Sequence, residues 1–303
     1  MTTTLPDDPL WPRAGGWPAP TEGHDVLIVG VPTHTTSLSP THAGGTPEAI
    51  RNALRRYSTD YVTHDGRLVD LGGLSIADLG DLEDVDSDAG REHAITRIRE
   101  WASTPLIIAL GGDNAATYPV ARAIAGESPE TAGLITLDAH FDLRDGRSNG
   151  SPVRELLESG LRGEHTVQIG IADFANSSAY ARRAQEAGIT VIPRAEVTPG
   201  TLEGITERAL AVASAGGGPI HIDIDVDVCD RSVAPATPAS LPGGLQADEL
   251  RRIVRSLARH PSVASFDITE ISHADDAADQ RTVRLAALIV LDIITGYALR
   301  SPS

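Results

Sequence analysis

The chain has no lysine, and arginine supplies every basic side chain other than histidine. Its 303 residues contain 42 acidic and 25 basic side chains, which gives a formal net charge of −17. An acidic surface of this kind repels phosphate backbones and anionic lipids, so we expect neither a nucleic-acid partner nor a membrane partner. Bound cations would balance part of the excess negative charge.

Cysteine is almost absent, since Cys229 is the only one in the chain. An internal disulfide is therefore excluded, and the composition is typical of a reducing compartment. No apolar run is long enough to span a bilayer, and the opening stretch MTTTLPDDPLWPRAGGWPAP lacks the basic and apolar segments of a signal peptide. We therefore predict a soluble protein of the cytoplasm.

Short apolar runs alternate along the chain with segments of helical periodicity. The apolar runs predict strands over residues 25–32, 105–112, 133–140, 166–171, 189–193, 219–227 and 263–270. Nearly continuous apolar strands that alternate with helices indicate a mainly parallel sheet covered on both faces, a three-layer α/β/α sandwich. We expect an irregular leader over residues 1–23 and one α/β domain over residues 24–303.

Polar motifs stand where four of these predicted strands end. The motif GGDN ends the second strand, DAHFD ends the third, DIDVD ends the sixth, and Glu270 ends the last. Open parallel sheets bind ligands at the carboxyl ends of their strands, so these side chains should meet at one edge.

Two of the motifs place ionisable side chains two residues apart, namely Asp138, His140 and Asp142 in one and Asp225 and Asp227 in the other. Alternation at period two would place such carboxylates on one face of a strand, where their charges repel. A lone aspartate there would more simply cap a turn, and a lone histidine would pack in the core. Four carboxylates and an imidazole together favour a site for manganese or a similar ion.

These motifs resemble the signature blocks of the ureohydrolases, which include arginase, agmatinase and formimidoylglutamase. The resemblance also covers GGTPEAIR near the start, DIDVDVCDRSVAPATPASLPGGL and FDITEI, and it extends from about residue 25 to the end. It implies an arginase-like α/β fold with two manganese ions per subunit. By position, the first ion would bind Asn114, Asp138, Asp142 and Asp225, and the second would bind Asp138, His140, Asp225 and Asp227.

Two positions depart from the common pattern of that family. Most members have histidine where this chain has Asn114, so we expect the first metal to bind more weakly. Arg231 stands where proline is common, and we expect this change to affect only a turn. Asp223 and Asp230 are left outside the ligand set with structural roles, and Cys229 has no assigned role.

The segment from DAHFDLRDGRSNGSPVRELLESG onward is most similar to formimidoylglutamase. That resemblance implies hydrolysis of N-formimidoyl-L-glutamate to L-glutamate and formamide in histidine degradation. Arg144 and Arg147 follow the metal motif and could bind substrate carboxylates, although Arg144 could instead pair with Asp142 or Asp145. Arg147 could equally be a solvated loop charge. Asn149 stands where arginases have a proton-shuttling histidine, and an amide there could only position substrate.

The resemblance also implies a mechanism and leaves alternatives. A metal-bridging hydroxide would attack the formimidoyl carbon, Glu270 would hold the cationic amidine, and Asp142 would act as general base and then as general acid. Agmatinase or another guanidino-acid amidinohydrolase is the alternative within the same class. A non-catalytic metal-binding assembly protein, with a site that decayed at Asn114, is the alternative of a different class. We expect a small-molecule amidine as substrate and a homo-oligomer.

Overall fold

The computed structural model describes residues 8, 10–63 and 65–300. Its strands are β1 Val26–Val31, β2 Asp60–Val62, β3 Leu68–Asp70, β4 Ile76–Asp81, β5 Leu106–Gly111, β6 Gly133–Leu137, β7 Thr166–Ile171, β8 Thr190–Pro193, β9 Ile220–Asp225 and β10 Val263–Thr269. Its helices are α1 Thr46–Leu54, α2 Asp88–Arg99, α3 Thr117–Ala125, α4 Pro152–Glu158, α5 Ser178–Ala187, α6 Leu202–Ala213, α7 Ala247–Ala258 and α8 Arg281–Ala298.

Eight strands form the main sheet in the order β4-β1-β5-β10-β9-β6-β7-β8, and every pairing in it is parallel. All seven predicted strands belong to this sheet. β4 was not predicted, and its residues become progressively more exposed along an edge of the sheet. The small antiparallel pair of β2 and β3 was not predicted either. Both omissions concern polar, partly exposed strands that have no continuous apolar run.

Helices cover both faces of the sheet, because successive strand residues enter different cores. Val26 and Ile28 of β1 pack in the core on the side of α1, α6, α7 and α8. Leu27 and Val29 pack in the opposite core with α2 and α3, and a third cluster continues on that side beneath α4 and α5. The predicted three-layer α/β/α sandwich is confirmed. No helix in the described chain, including the 18-residue α8, is long and apolar enough to cross a membrane.

The segment before β1 has no helix or regular strand over the described residues 10–25. A single bridge joins Arg13 to Ser58, and the Ala14 N–H donates to the carbonyl oxygen of Tyr57 at 2.9 Å. These contacts attach the segment to the domain. The rest of the predicted leader, residues 1–7 and 9, lies outside the described residues, as do residues 64 and 301–303 of the predicted domain.

The two strands that carry the acidic motifs end earlier than predicted. β6 ends at Leu137 and β9 ends at Asp225, so Asp227 is not part of the strand pleat. In each case an aspartate side chain turns the chain by accepting a backbone N–H two residues on. Asp138 Oδ1 accepts from the His140 N–H at 2.6 Å, and Asp225 Oδ1 accepts from the Asp227 N–H at 2.8 Å. Such local bonds compete with the hydrogen bonds between strands. The prediction that the acidic residues alternate along regular strands was therefore wrong at Asp227 and beyond Leu137.

Candidate metal centre and active site

The polar motifs meet at the carboxyl edge of the sheet, in the middle of the strand order. The four strands that lead to them, β5, β10, β9 and β6, are consecutive neighbours in the sheet. They bring together every residue that the family resemblance implied as a metal ligand, with Glu270 beside them. All of these side chains are buried except that of His140, which is partly exposed.

Asp138, His140 and Asp227 form the tightest group. Each offers one ligand atom, and these atoms all lie within 4.8 Å of one another. His140 Nδ1 is 3.0 Å from Asp227 Oδ2 and 3.5 Å from Asp138 Oδ1. Asp138 Oδ2 is buried without a hydrogen-bond partner in the described chain. A cation placed among these atoms would satisfy an acceptor that the protein itself leaves open.

Asn114 and Asp142 form the neighbouring part of the cluster. Asn114 Nδ2 donates to Asp142 Oδ2 at 2.6 Å. Asn114 Oδ1 accepts from the hydroxyl of Thr117 at 2.8 Å and from that of Thr269 at 2.7 Å. Neither threonine was predicted from the sequence, although Thr117 lies only three residues after Asn114, a spacing that indicates a contact within one helical turn.

Burial and mutual repulsion raise the pKa values of the acids in this cluster. Burial raises the pKa of Asp138 to about 6 and raises those of Asp142 and Asp225 well above the usual carboxyl range, and charge repulsion from neighbouring carboxylates adds to each shift. For His140, burial opposes the charged form, but Asp227 and Asp138 more than offset it and raise the pKa to about 12. The cluster therefore needs protons or bound cations to balance its charge.

Glu270 lies beside the cluster with one oxygen fully engaged. Its Oε1 accepts from the Asn114 backbone N–H at 2.8 Å and from Asn149 Nδ2 at 2.6 Å. No hydrogen bond from the described residues reaches Oε2. Burial, together with the charge of Asp113, raises the Glu270 pKa to about 8. Asn149 therefore orients Glu270, a link over 121 residues of sequence that local motifs could not reveal.

The backbone of two acids at this site is in an unfavourable conformation. Asp142 has φ of 52° and Glu270 has φ of 64°, in the left-handed region that favours glycine. Only five non-glycine residues of the described chain have positive φ, and these are two of them. Such conformations persist where surrounding contacts hold them, and they often occur at functional sites.

A cavity of about 360 Å³ opens onto this cluster. Five of the acidic and imidazole side chains described above line it, together with neutral and basic groups. The polar residues among its lining are Ser39, His140, Asp142, Arg144, Asn149, Asn176, Ser177, Tyr180, Asp225, Asp227 and Glu270. The cavity is thus acidic at the cluster, and Arg144 is the one arginine among its lining residues.

The two candidate substrate-binding arginines have different surroundings. Arg144 is exposed at the cavity, and its guanidinium carbon lies 6.0 Å from the centre of the Tyr180 ring. It forms no ion pair with Asp142 or with Asp145. Asp145 pairs with Arg183 instead, at 2.8 Å. Arg147 does not line the cavity, because its guanidinium binds Asp88 Oδ1 at 2.5 Å and the Asp86 carbonyl oxygen at 2.5 Å.

Asn176 braces the loop that carries the metal motif. Its Oδ1 accepts from the Phe141 N–H at 3.1 Å, and its Nδ2 donates to the Ala139 carbonyl oxygen at 2.9 Å. The two bonds hold the backbone on both sides of His140. Nothing in the sequence around Asn176 indicated this role, because the contact joins two loops through space.

The residues left outside the predicted ligand set have structural partners or none. Asp230 Oδ1 accepts from the Ser232 N–H at 2.8 Å and Oδ2 from the Gly243 N–H at 2.7 Å, which holds a turn. Arg231 Nη1 donates to the Thr237 carbonyl oxygen at 2.5 Å and so braces the following turn. Asp223 is fully buried, neither of its oxygens has a hydrogen-bond partner among the described residues, and burial beside Asp267 raises its pKa.

Comparison with known proteins agrees with this architecture and site. A profile of the arginase family matches residues 24–296. A formimidoylglutamase of Halalkalibacterium halodurans is 35% identical over 284 residues, which cover 90% of this chain and 88% of that protein.

Two solved structures are also similar. The crystal structure of formimidoylglutamase from Bacillus subtilis aligns with a TM-score of 0.89 and 31% identity, over 98% of this chain and 95% of that one. The structure of Trypanosoma cruzi formiminoglutamase with Mn²⁺ shares the fold, with a TM-score of 0.83 and 24% identity over 92% and 95% of the two chains. The prediction of a hydrolase acting on carbon–nitrogen bonds is confirmed. On its sequence and its fold, the chain belongs to the arginase family.

Proposed function

We propose that the protein hydrolyses N-formimidoyl-L-glutamate to L-glutamate and formamide with the help of two manganese ions per subunit. The observation that carries the proposal is the cavity itself. Its acidic end combines a cluster that could hold cations with Glu270, and its wall presents the guanidinium of Arg144, which has no carboxylate partner among the described residues. A substrate with a cationic amidine at one end and carboxylates at the other fits this distribution of charge.

The donor set fits manganese. It consists of carboxylate and amide oxygens with one imidazole, and Asp138 Oδ2 is buried without another partner in the described chain. Asn114, Asp138, Asp142 and Asp225 would hold the first ion, and Asp138, His140, Asp225 and Asp227 the second. A bound pair of this kind supplies a water molecule that loses its proton near neutral pH.

Glu270 and Asp142 would take the two charged roles in the reaction. Glu270 Oε1 is occupied by two N–H donors, so Oε2 is the oxygen available to an amidinium group. Asp142 would act as general base and then as general acid, accepting a proton and returning it to the leaving amine. Burial, together with the charge of Asp138, raises the pKa of Asp142 well above the usual carboxyl range, which favours its acceptance of a proton.

Arg144 would bind a carboxylate of the glutamate portion. Its guanidinium can form two parallel hydrogen bonds to a carboxylate, a geometry that also fixes orientation. Asn149 would act through Glu270 rather than on the substrate directly, since its amide already bridges Glu270 and the Leu38 N–H. We do not retain Arg147 as a substrate ligand, because both of its contacts lie away from the cavity.

Substrates of other members of the family differ in this pattern of charge. Agmatine carries no carboxylate, so the free guanidinium of Arg144 would have no use in an agmatinase. A guanidino acid would satisfy it and is the alternative to exclude by experiment. A non-catalytic metal-binding assembly protein would have no need of the Asn149–Glu270 contact. We further propose a cytoplasmic homo-oligomer that acts in histidine degradation.

A panel of amidines tests the proposal. The purified protein, supplied with Mn²⁺, should release glutamate from formimidoylglutamate much faster than it hydrolyses agmatine, arginine or guanidino acids. Preferred turnover of a guanidino acid would instead assign the alternative substrate class. Manganese binding without hydrolysis of any member would support the non-catalytic alternative.

A further inference from the structure

Asn114 has a set of contacts that a simple metal ligand would not need. Its amide lies between Asp142 on one side and two hydroxyl groups on the other, those of Thr117 and Thr269. All four of these side chains are buried, with Asn114, Thr117 and Thr269 at 0% exposure. The amide oxygen therefore faces the threonines, and the amide nitrogen faces the candidate metal cluster.

An amide can exchange these two positions at little cost. The torsion about its Cβ–Cγ bond has broad, nearly two-fold preferences, so a half-turn swaps Oδ1 and Nδ2 without moving the backbone. Only the oxygen can bind a metal ion, because the nitrogen lone pair of an amide is delocalised. Asn114 can therefore act as a ligand only in the opposite orientation, with Oδ1 towards the cluster and Nδ2 towards the threonines.

The two threonines suit both orientations, because a hydroxyl group can donate or accept a hydrogen bond. Before the half-turn, the two hydroxyls donate to Asn114 Oδ1. After it, the two N–H groups of Nδ2 would point at the same two hydroxyl oxygens, which would then accept. Thr269 Oγ1 lies 3.4 Å from the Ile224 carbonyl oxygen, which could then accept the hydrogen bond that the Thr269 hydroxyl donates.

We propose that Thr117 and Thr269 are positioning residues that allow Asn114 to serve as a ligand of the first metal ion. The inference rests on the proposed function, since it concerns one of the two manganese sites assigned above. A bound cation polarises the amide and strengthens its N–H donors, so the threonines contribute most in the metal-bound state. Removing such an outer partner of a ligand typically lowers metal affinity by roughly tenfold to a hundredfold.

The test measures manganese affinity at each site in single variants of the full chain. Thr117→Val and Thr269→Val keep the side-chain shape but remove the hydroxyl. Each should weaken the first Mn²⁺ by roughly tenfold or more and leave the second unchanged, as followed by calorimetry and by the electron paramagnetic resonance signal of coupled ions. Thr117→Ser and Thr269→Ser retain the hydroxyl and should bind the first Mn²⁺ with the affinity of the unmodified protein.

Thr136→Val is the matched control. Thr136 is also fully buried, on strand β6 of the same sheet, but its hydroxyl has no hydrogen-bond partner in the described chain. Unchanged first-site affinity in both valine variants would overturn the proposal, and so would an equal loss in the control. If one valine variant fails to fold, the other still decides. Absence of Mn²⁺ binding by the unmodified protein would instead refute the proposed function and, with it, this inference.

Discussion

Arg144→Ala removes a guanidinium that borders the cavity and pairs with no carboxylate in the part of the chain that the structure describes. If Arg144 binds a substrate carboxylate, the loss removes a hydrogen bond between two charged groups, which contributes about 1.5–3 kcal/mol. Because Arg144 is exposed and solvent screens its charge, we use the lower end of this energy range. A loss of about 1.5 kcal/mol corresponds to a roughly tenfold fall in kcat/KM for formimidoylglutamate.

The assay compares kcat/KM for formimidoylglutamate and for a carboxylate-free amidine in the unmodified protein and the variant. The neutral amidine should be nearly indifferent to the change, and bound manganese should stay constant. Arg147→Ala is the matched control, because Arg147 pairs with the exposed Asp88 and should affect neither substrate. Equal losses for the acidic and the neutral substrate would refute the assignment of Arg144 to substrate binding.

Three further predictions concern the metal centre. Asp225→Ala should abolish activity and release both ions, whereas Asp223→Ala should keep the metal and most activity; metal analysis showing the reverse would contradict the assigned ligands. In metal-free protein the pKa values of Asp138 and Glu270 are raised to about 6 and about 8. The folded state then binds more protons than the unfolded one. The stability that these two protonated carboxyl groups contribute is therefore present below the ordinary carboxyl pKa and is lost as pH rises through the two raised pKa values. The Tm of the metal-free protein should fall between about pH 5 and pH 8.5, and Mn²⁺ should offset the fall. A flat or rising Tm in calorimetry would show that protons and cations do not balance the charge of the cluster. Asn176→Ala should lower the free energy of unfolding by about 1–3 kcal/mol and weaken metal binding, because two backbone groups of the metal loop lose their partner. Denaturant titration with unchanged stability would show that the brace is dispensable.

The central strands could be predicted from the sequence because burial on both faces makes them continuously apolar. β5 and β9 are buried throughout, and the predicted ranges include them with one extra residue or two at the ends. β4 could not be predicted in this way, because it is an edge strand and only its first residues are buried. Its identity depends on pairing with β1, which is a contact in space and not a local pattern.

The acidic residues of the site could also be predicted, since they follow directly on strands that share one edge. Their arrangement could not. Asp227 reaches the cluster through a turn held by the Asp225 side chain, where the simple pleat predicted a strand. Arg147 was a second candidate beside Arg144 in the sequence, but its ion pair with Asp88 spans 59 residues. Distant partners of this kind determine which of two similar side chains faces a cavity.

Manganese titration of metal-free protein, with glutamate release from formimidoylglutamate followed at each point, tests the central claim most directly. We predict binding of up to two ions per chain, the first-site ion more weakly because of Asn114, and turnover that rises as the sites fill. Turnover that persists after complete removal of metal would contradict the account. So would a protein that holds two ions and leaves formimidoylglutamate intact.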